Sequence, residues 1–137
     1  MALDKIQGRM KSPCHRFDGR GGLGHLAALC RRASVVVSTD TGPMHLAAAV
    51  GTRVVALFGP TAPNRTGPYG SQHVVLRHQV PCSPCFKRIC ESTVVEPYGC
   101  MKRIEVEEVV GAVLQRVNHE NPSEVPATSA ESQDARS

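Results

Sequence analysis

The run Ser38-Thr39-Asp40-Thr41-Gly42-Pro43-Met44-His45 gathers hydroxyls, an acid, a glycine and an imidazole beside an apolar stretch. Pro43 followed by small apolar residues predicts a helix over residues 43–50, stopped at Gly51. The β-branched run before it predicts a strand ending at Ser38. A helix start leaves free backbone N–H groups, and the positive end of its dipole faces the turn. Gly42 lets an anion approach that backbone closely. At the carboxyl end of a parallel strand this arrangement is a phosphate site. Thr41 adds a hydroxyl donor, and His45 in the first helical turn can meet the same anion. Asp40 repels phosphate, so its expected partner is a sugar hydroxyl or a cation. The alternative is purely structural: Thr41 or Asp40 caps the helix and His45 packs on a neighbouring loop.

Three other segments carry chemical potential. Cys82, Cys85, Cys90 and Cys100 form C-x2-C-x4-C-x9-C. The first pair has the spacing of a zinc or iron–sulfur knuckle, and four thiolates can close a tetrahedral site, although the middle gap is not that of a zinc ribbon. The competing reading is four reduced thiols without metal, since disulfides are not expected of a cytoplasmic chain. Residues 59–70 (GPTAPNRTGPYG) leave the second strand at the same edge as the phosphate turn. There Thr61, Arg65, Thr66 and Tyr69 can face a ligand, or the prolines merely stiffen a surface loop. Residues 19–24 (GRGGLG) match the G-x-G-x-x-G dinucleotide pattern, but that pattern needs a buried strand before it. Residues 13–18 (PCHRFD) do not supply one, so a turn before a helix is the better reading.

The elements that must position these groups alternate in type. Residues 23–32 repeat apolar positions at helical spacing and end in Arg31 and Arg32, where cations suit the dipole. Strands are expected over residues 34–38, 53–58 and 73–77. Residues 80–100 are Cys- and Pro-rich and irregular. Residues 104–117 again show helical spacing, with acids early and Arg116 late. The order predicts an α/β fold, a partial Rossmann-like parallel sheet. Residues 1–16 are expected to be a poorly ordered or remnant segment. Residues 17–117 are the domain, and residues 118–137, polar and Pro-containing, are expected to be a disordered tail. A three-stranded sheet without earlier strands exposes apolar faces, which points to a fragment of a larger domain.

Composition narrows the functional classes. Hydrophobic residues make up 41% of the 137 and charged residues 20%, enough for a folded core. Aromatics are 4% and Trp is absent, which disfavours a binder that stacks bases of single-stranded nucleic acid. The net charge is +4, and residues 1–117 hold 15 of the 16 Lys+Arg but 8 of the 12 Asp+Glu. A basic body implies an anionic partner, and without a dense Lys/Arg block a small phosphate ligand fits as well as a polymer. No apolar run is long enough to span a bilayer, and residues 1–11 lack the apolar core of a signal peptide. The expected location is cytoplasmic.

Residues 40–70 carry a resemblance. The motifs D-T-G-P-M-H-L-A-A-A, G-T-x-V-V-A-L-F-G-P-T and R-T-G-P-Y-G resemble those of the glycosyltransferase family 9 heptosyltransferases, which transfer heptose from ADP-heptose to lipopolysaccharide. PCSPCFKRIC with Cys100-Met101 is similar to a Cys-rich segment of many members. Upstream, FDGRGGL resembles the L-x-G-(K/R)-T-x-L turn, with Gly21 where Thr is usual. The likeness runs from about Phe17 to Val117.

The resemblance implies a GT-B architecture, two Rossmann-like domains facing across a cleft, of which this chain matches the second half of the carboxyl-terminal, nucleotide-sugar-binding domain. On that mapping Thr41 and Gly42 bind phosphate, Asp40 holds sugar hydroxyls and His45 supports the turn. Thr61 and Arg65 belong to a cleft loop. No cofactor is required beyond the ADP-sugar substrate, with zinc or another metal at Cys82, Cys85, Cys90 and Cys100 as the added candidate. The partners implied are a nucleotide-sugar and a lipopolysaccharide core acceptor at the cytoplasmic face of the inner membrane, reached peripherally; nucleic acid is not among them. The amino-terminal acceptor domain and its general base have no counterpart here, so this chain alone is expected to be inactive and no catalytic residue is assigned. The alternative function is a small cysteine-organised metal-binding or interaction module without catalysis.

Overall fold

A computed structural model describes residues 2–118; the expected tail, apart from Asn118, lies outside the described residues. The elements run α1 (Ala2–Arg9), α2 (Gly22–Arg32), β1 (Val36–Thr39), α3 (Gly42–Ala49), β2 (Val54–Phe58), α4 (Pro63–Thr66), β3 (Val74–Arg77), α5 (Gly99–Lys102) and α6 (Val106–Asn118). The strands form an open parallel sheet in the order β1-β2-β3. Val36 pairs with Val54, and Val55 with Val74. This is the expected α/β, partial Rossmann-like fold, with every expected strand present to within two residues.

β2 is the central strand, and its side chains alternate between two packed faces. Val54, Ala56 and Phe58 join Cys30 of α2 and Met44 and Ala47 of α3 in one buried cluster. The small residues of α3 let it lie close to the sheet, so Met44 and Ala47 are fully buried. α6 packs against β2 and β3 and buries Ala112. Buried Thr52 donates its hydroxyl to the Cys30 carbonyl at 2.7 Å, tying the end of α2 to the entry of β2. Gly51 stops α3 as expected: its φ of 85° is left-handed, where a side chain would be strained.

Three local findings differ from expectation. The first residues form α1, a helix with no buried residue, with an Arg16–Asp4 ion pair of 2.9 Å between it and the coil that follows. The loop after β2 contains the single turn α4, opened by Pro63, whose fixed φ suits a first helical position. β1 extends one residue past Ser38, and α3 begins at Gly42, so the turn between them shrinks to Asp40 and Thr41. No strand precedes Gly19 among the described residues, so the glycine run there is the turn into α2, with Gly21 at its N-cap.

Candidate functional site

The carboxyl ends of β1 and β2 lie side by side, with Thr39 opposite Leu57. Whatever leaves these strands meets at one edge, as in open α/β sheets generally. From β1 comes the Asp40-Thr41 turn and the start of α3. From β2 comes Gly59 and the loop through α4.

No side chain caps α3. Thr41 occupies the N-cap in extended conformation, yet its hydroxyl turns back: it lies 3.2 Å from Ser38 Oγ and 3.3 Å from the Thr39 carbonyl. Asp40 is engaged elsewhere too, since Thr66 donates its hydroxyl to Asp40 Oδ2 at 2.7 Å. His45 Nε2 stands 3.8 Å from Asp40 Oδ1. The structure thus joins Asp40, His45 and Thr66 across the turn and leaves the first turn of α3 open. A Cβ placed on Gly42 would meet nothing within 4 Å, so this glycine faces free space.

On its other side Asp40 borders a cavity of about 550 Å³, within the size range of small-molecule sites. Its wall runs from Thr39 and Asp40 over Gly59 and Thr61 to residues of the Cys-rich segment. Thr61 Oγ1 is buried and has no hydrogen-bond partner. A buried hydroxyl left unpaired costs about 1–3 kcal/mol, and this one is shielded from the cavity as well as from solvent. Arg65 lies outside that wall; its guanidinium stacks over the Phe86 ring at 5.1 Å. Tyr69 is almost wholly exposed.

The Cys-rich segment closes the cavity by folding back over the sheet edge. The backbone N–H groups of Cys85 and Phe86 both donate to the Pro60 carbonyl, at 2.9 and 2.8 Å. Ser83 donates its hydroxyl to the Gly59 carbonyl at 2.5 Å, and Arg77 of β3 donates to Ser83. Gly59 is needed for the same closure. A Cβ there would sit 2.5 Å from Met101 Sδ and 3.1 Å from Cys100 Sγ.

All six cysteines are free thiols, and Cys82, Cys85, Cys90 and Cys100 all line this cavity. Among the described residues no group of three or more His, Cys, Asp or Glu stands where it could hold a metal ion. Backbone N–H groups of Tyr98 and Ser92 pull the Cys90 thiol below its ordinary range, while burial and the neighbouring thiols push Cys100 up. Cys14 and Cys30 stand apart, Cys30 in the core.

Sequence reasoning missed the Thr66–Asp40 bond and the cavity-lining Lys87, Arg88 and Tyr98. Thr66 is expected from the sequence only to face a ligand from its loop, and residues 80–100 have no periodicity from which a fold-back could be read.

The family model of glycosyltransferase family 9 (heptosyltransferase) matches residues 1–95. Lipopolysaccharide heptosyltransferase 1 of Pseudomonas aeruginosa is 44% identical over 68 residues, which is 50% of this chain and 19% of that protein. Lipooligosaccharide heptosyltransferase 2 of Campylobacter jejuni is 32% identical over 89 residues, 62% of this chain and 27% of the relative. Lipopolysaccharide core heptosyltransferase OpsX of Haemophilus influenzae is 29% identical over 116 residues, 78% of this chain and 33% of the relative. The matched stretch therefore spans a third or less of each of these relatives. No solved structure matches.

Proposed function

The chain belongs to glycosyltransferase family 9, and on that premise we propose that residues 17–117 are the donor-binding part of a GT-B heptosyltransferase whose donor is ADP-heptose. The observation that carries the reading is the uncapped start of α3 at the carboxyl end of β1, facing open space at Gly42. The diphosphate lies against the backbone N–H groups of Thr41 and Gly42, with the helix dipole behind them. Asp40, fixed by Thr66 and flanked by His45, accepts hydrogen bonds from hydroxyls of the sugar. Thr61 lines the cavity wall, and Arg65 steadies the loop through Phe86.

The reaction proposed is an inverting transfer. An acceptor hydroxyl of the lipopolysaccharide inner core attacks the anomeric carbon as its bond to the diphosphate oxygen breaks. ADP leaves with that electron pair, and the hydroxyl proton passes to a base. The base and the acceptor site are assigned to the amino-terminal domain that the family resemblance implies, and residues 17–117 supply the donor side, so transfer needs both held together. No cofactor takes part. The work is placed at the cytoplasmic face of the inner membrane; no helix among the described residues is long and apolar enough to cross it. The alternative, a cysteine-organised module without catalysis, predicts metal binding with no affinity for ADP.

Calorimetry with ADP tests the reading, in this chain and in a chimera carrying the acceptor domain of a family relative. Gly42→Val fills the space the phosphate needs and should remove most ADP affinity in a protein that still folds. Asp40→Asn should leave ADP nearly unchanged and weaken ADP-heptose. Equal ADP affinity with valine at position 42 would refute the phosphate assignment.

A further inference from the structure

We propose that Cys82, Cys85, Cys90 and Cys100 close on one zinc ion, which fastens the Cys-rich segment to the carboxyl edge of the sheet. The inference does not rest on the donor reading. All four sulfurs come from one segment, and all four residues line a single cavity, although the first and last stand 18 positions apart. Two anchor points hold the ends of this set. Cys82 and Cys85 flank Ser83 and Pro84, and the Pro60 and Gly59 carbonyls grip this stretch through Cys85, Phe86 and Ser83. Cys100 sits on α5, against Gly59 and the end of β2.

The backbone around the thiols is shaped for ligation. Phe86, directly after Cys85, and Tyr98, two residues before Cys100, both hold φ near +60°. Bulky residues adopt that region only where their surroundings impose it. Both members of the C-x2-C pair, Cys82 and Cys85, line the cavity. The Tyr98 backbone N–H points at Cys90 Sγ, 3.2 Å away. A neutral thiol is a weak acceptor, whereas N–H donation to sulfur orients and stabilises a thiolate ligand. Four thiolates form a donor set that zinc takes in closed structural sites.

The sulfurs are not yet at ligand geometry, so binding includes a local closure. Each thiol that ligates gives its proton to solvent, and no oxidant or reductant is involved.

The full 137-residue chain, purified with reductant, is desalted after exposure to zinc, and bound metal and thiol alkylation are measured. About one zinc per chain is expected, the stoichiometry of a four-thiolate site. Zinc should slow alkylation of these four cysteines at least tenfold, and a chelator should reverse that. Cobalt in place of zinc should give thiolate-to-cobalt absorption of tetrahedral intensity. Cys90→Ser should abolish zinc retention, while Cys30→Ser should retain it. The alkylation comparison needs no variant, so a poorly folding mutant does not decide the matter. No zinc retained, alkylation unchanged by zinc, or iron with labile sulfide in its place would overturn the proposal.

Discussion

The turn at Asp40 and the segment at residues 80–100 border the same cavity but are held in different ways. The first is placed by regular structure: β1 hydrogen-bonds to β2, and α3 buries Met44 and Ala47 in the common core. Its position follows from burial, the dominant favourable force in folding. The second contains almost no regular structure and exposes Phe86, Ile89, Val94 and Tyr98. It is held by point contacts with the Gly59 and Pro60 carbonyls and by the Arg65–Phe86 stack. A turn fixed by the core can keep its backbone amides aimed without ligand. A segment fixed by tethers can adapt its side of the cavity to what binds.

The largest effect expected is from Met44→Ala. Met44 is fully buried beneath the turn, and such truncations cost about 2–5 kcal/mol. Both regions should be lost in a single transition, because the tethers hang from the sheet that the core holds. Thermal unfolding followed by far-UV circular dichroism and by thiol exposure should give coincident curves. Curves that separate would mean the Cys-rich segment folds on its own terms.

Gly59→Val should do the reverse at smaller cost. Its side chain would press on Met101 and Cys100, and overpacking typically costs about 1–3 kcal/mol. Limited proteolysis should cut residues 80–100 faster while the sheet and α3 persist. Cleavage at wild-type rate would show that the close approach at Gly59 does not hold the segment.

The smallest effect concerns pH. Arg103 donates to the Glu96 carboxylate and holds its pKa below the ordinary value. A lowered folded pKa adds stability that is present above the unfolded value and lost as pH falls through the folded one. The pair is well exposed, so the effect is slight. Acidification should therefore loosen the Cys-rich segment before the core. Glu96→Gln should remove that part of the acid sensitivity and leave the turn unchanged, as read from hydrogen exchange of the two regions.

The same contrast explains what could be read in advance. The strands and the longer core-packed helices followed from β-branched runs and helical spacing, and the turn at Asp40 followed from Pro43 and Gly42. The likeness to the family was carried by residues 40–70, the stretch where local sequence and core coincide. α1 escaped notice although Leu3, Ile6 and Met10 stand at helical spacing, because the helix is short and buries nothing, so no core demands it. The Thr66–Asp40 bond joins residues 26 apart through two loops, and no local pattern encodes it. The cavity itself depends on residues 80–100 returning to Gly59 and Pro60, a long-range contact written in single carbonyls rather than in periodicity.

The central claim is that the open first turn of α3 receives the donor diphosphate. The most direct measurement is an amide-resolved NMR titration of the isotope-labelled chain with ADP. The account predicts that the N–H resonances of Thr41, Gly42, Met44 and His45 shift together and saturate with one binding constant. The Gly51 and Thr52 amides, at the far end of α3, should stay in place. Shifts confined to other elements, or none at the start of α3 while ADP demonstrably binds, would contradict it.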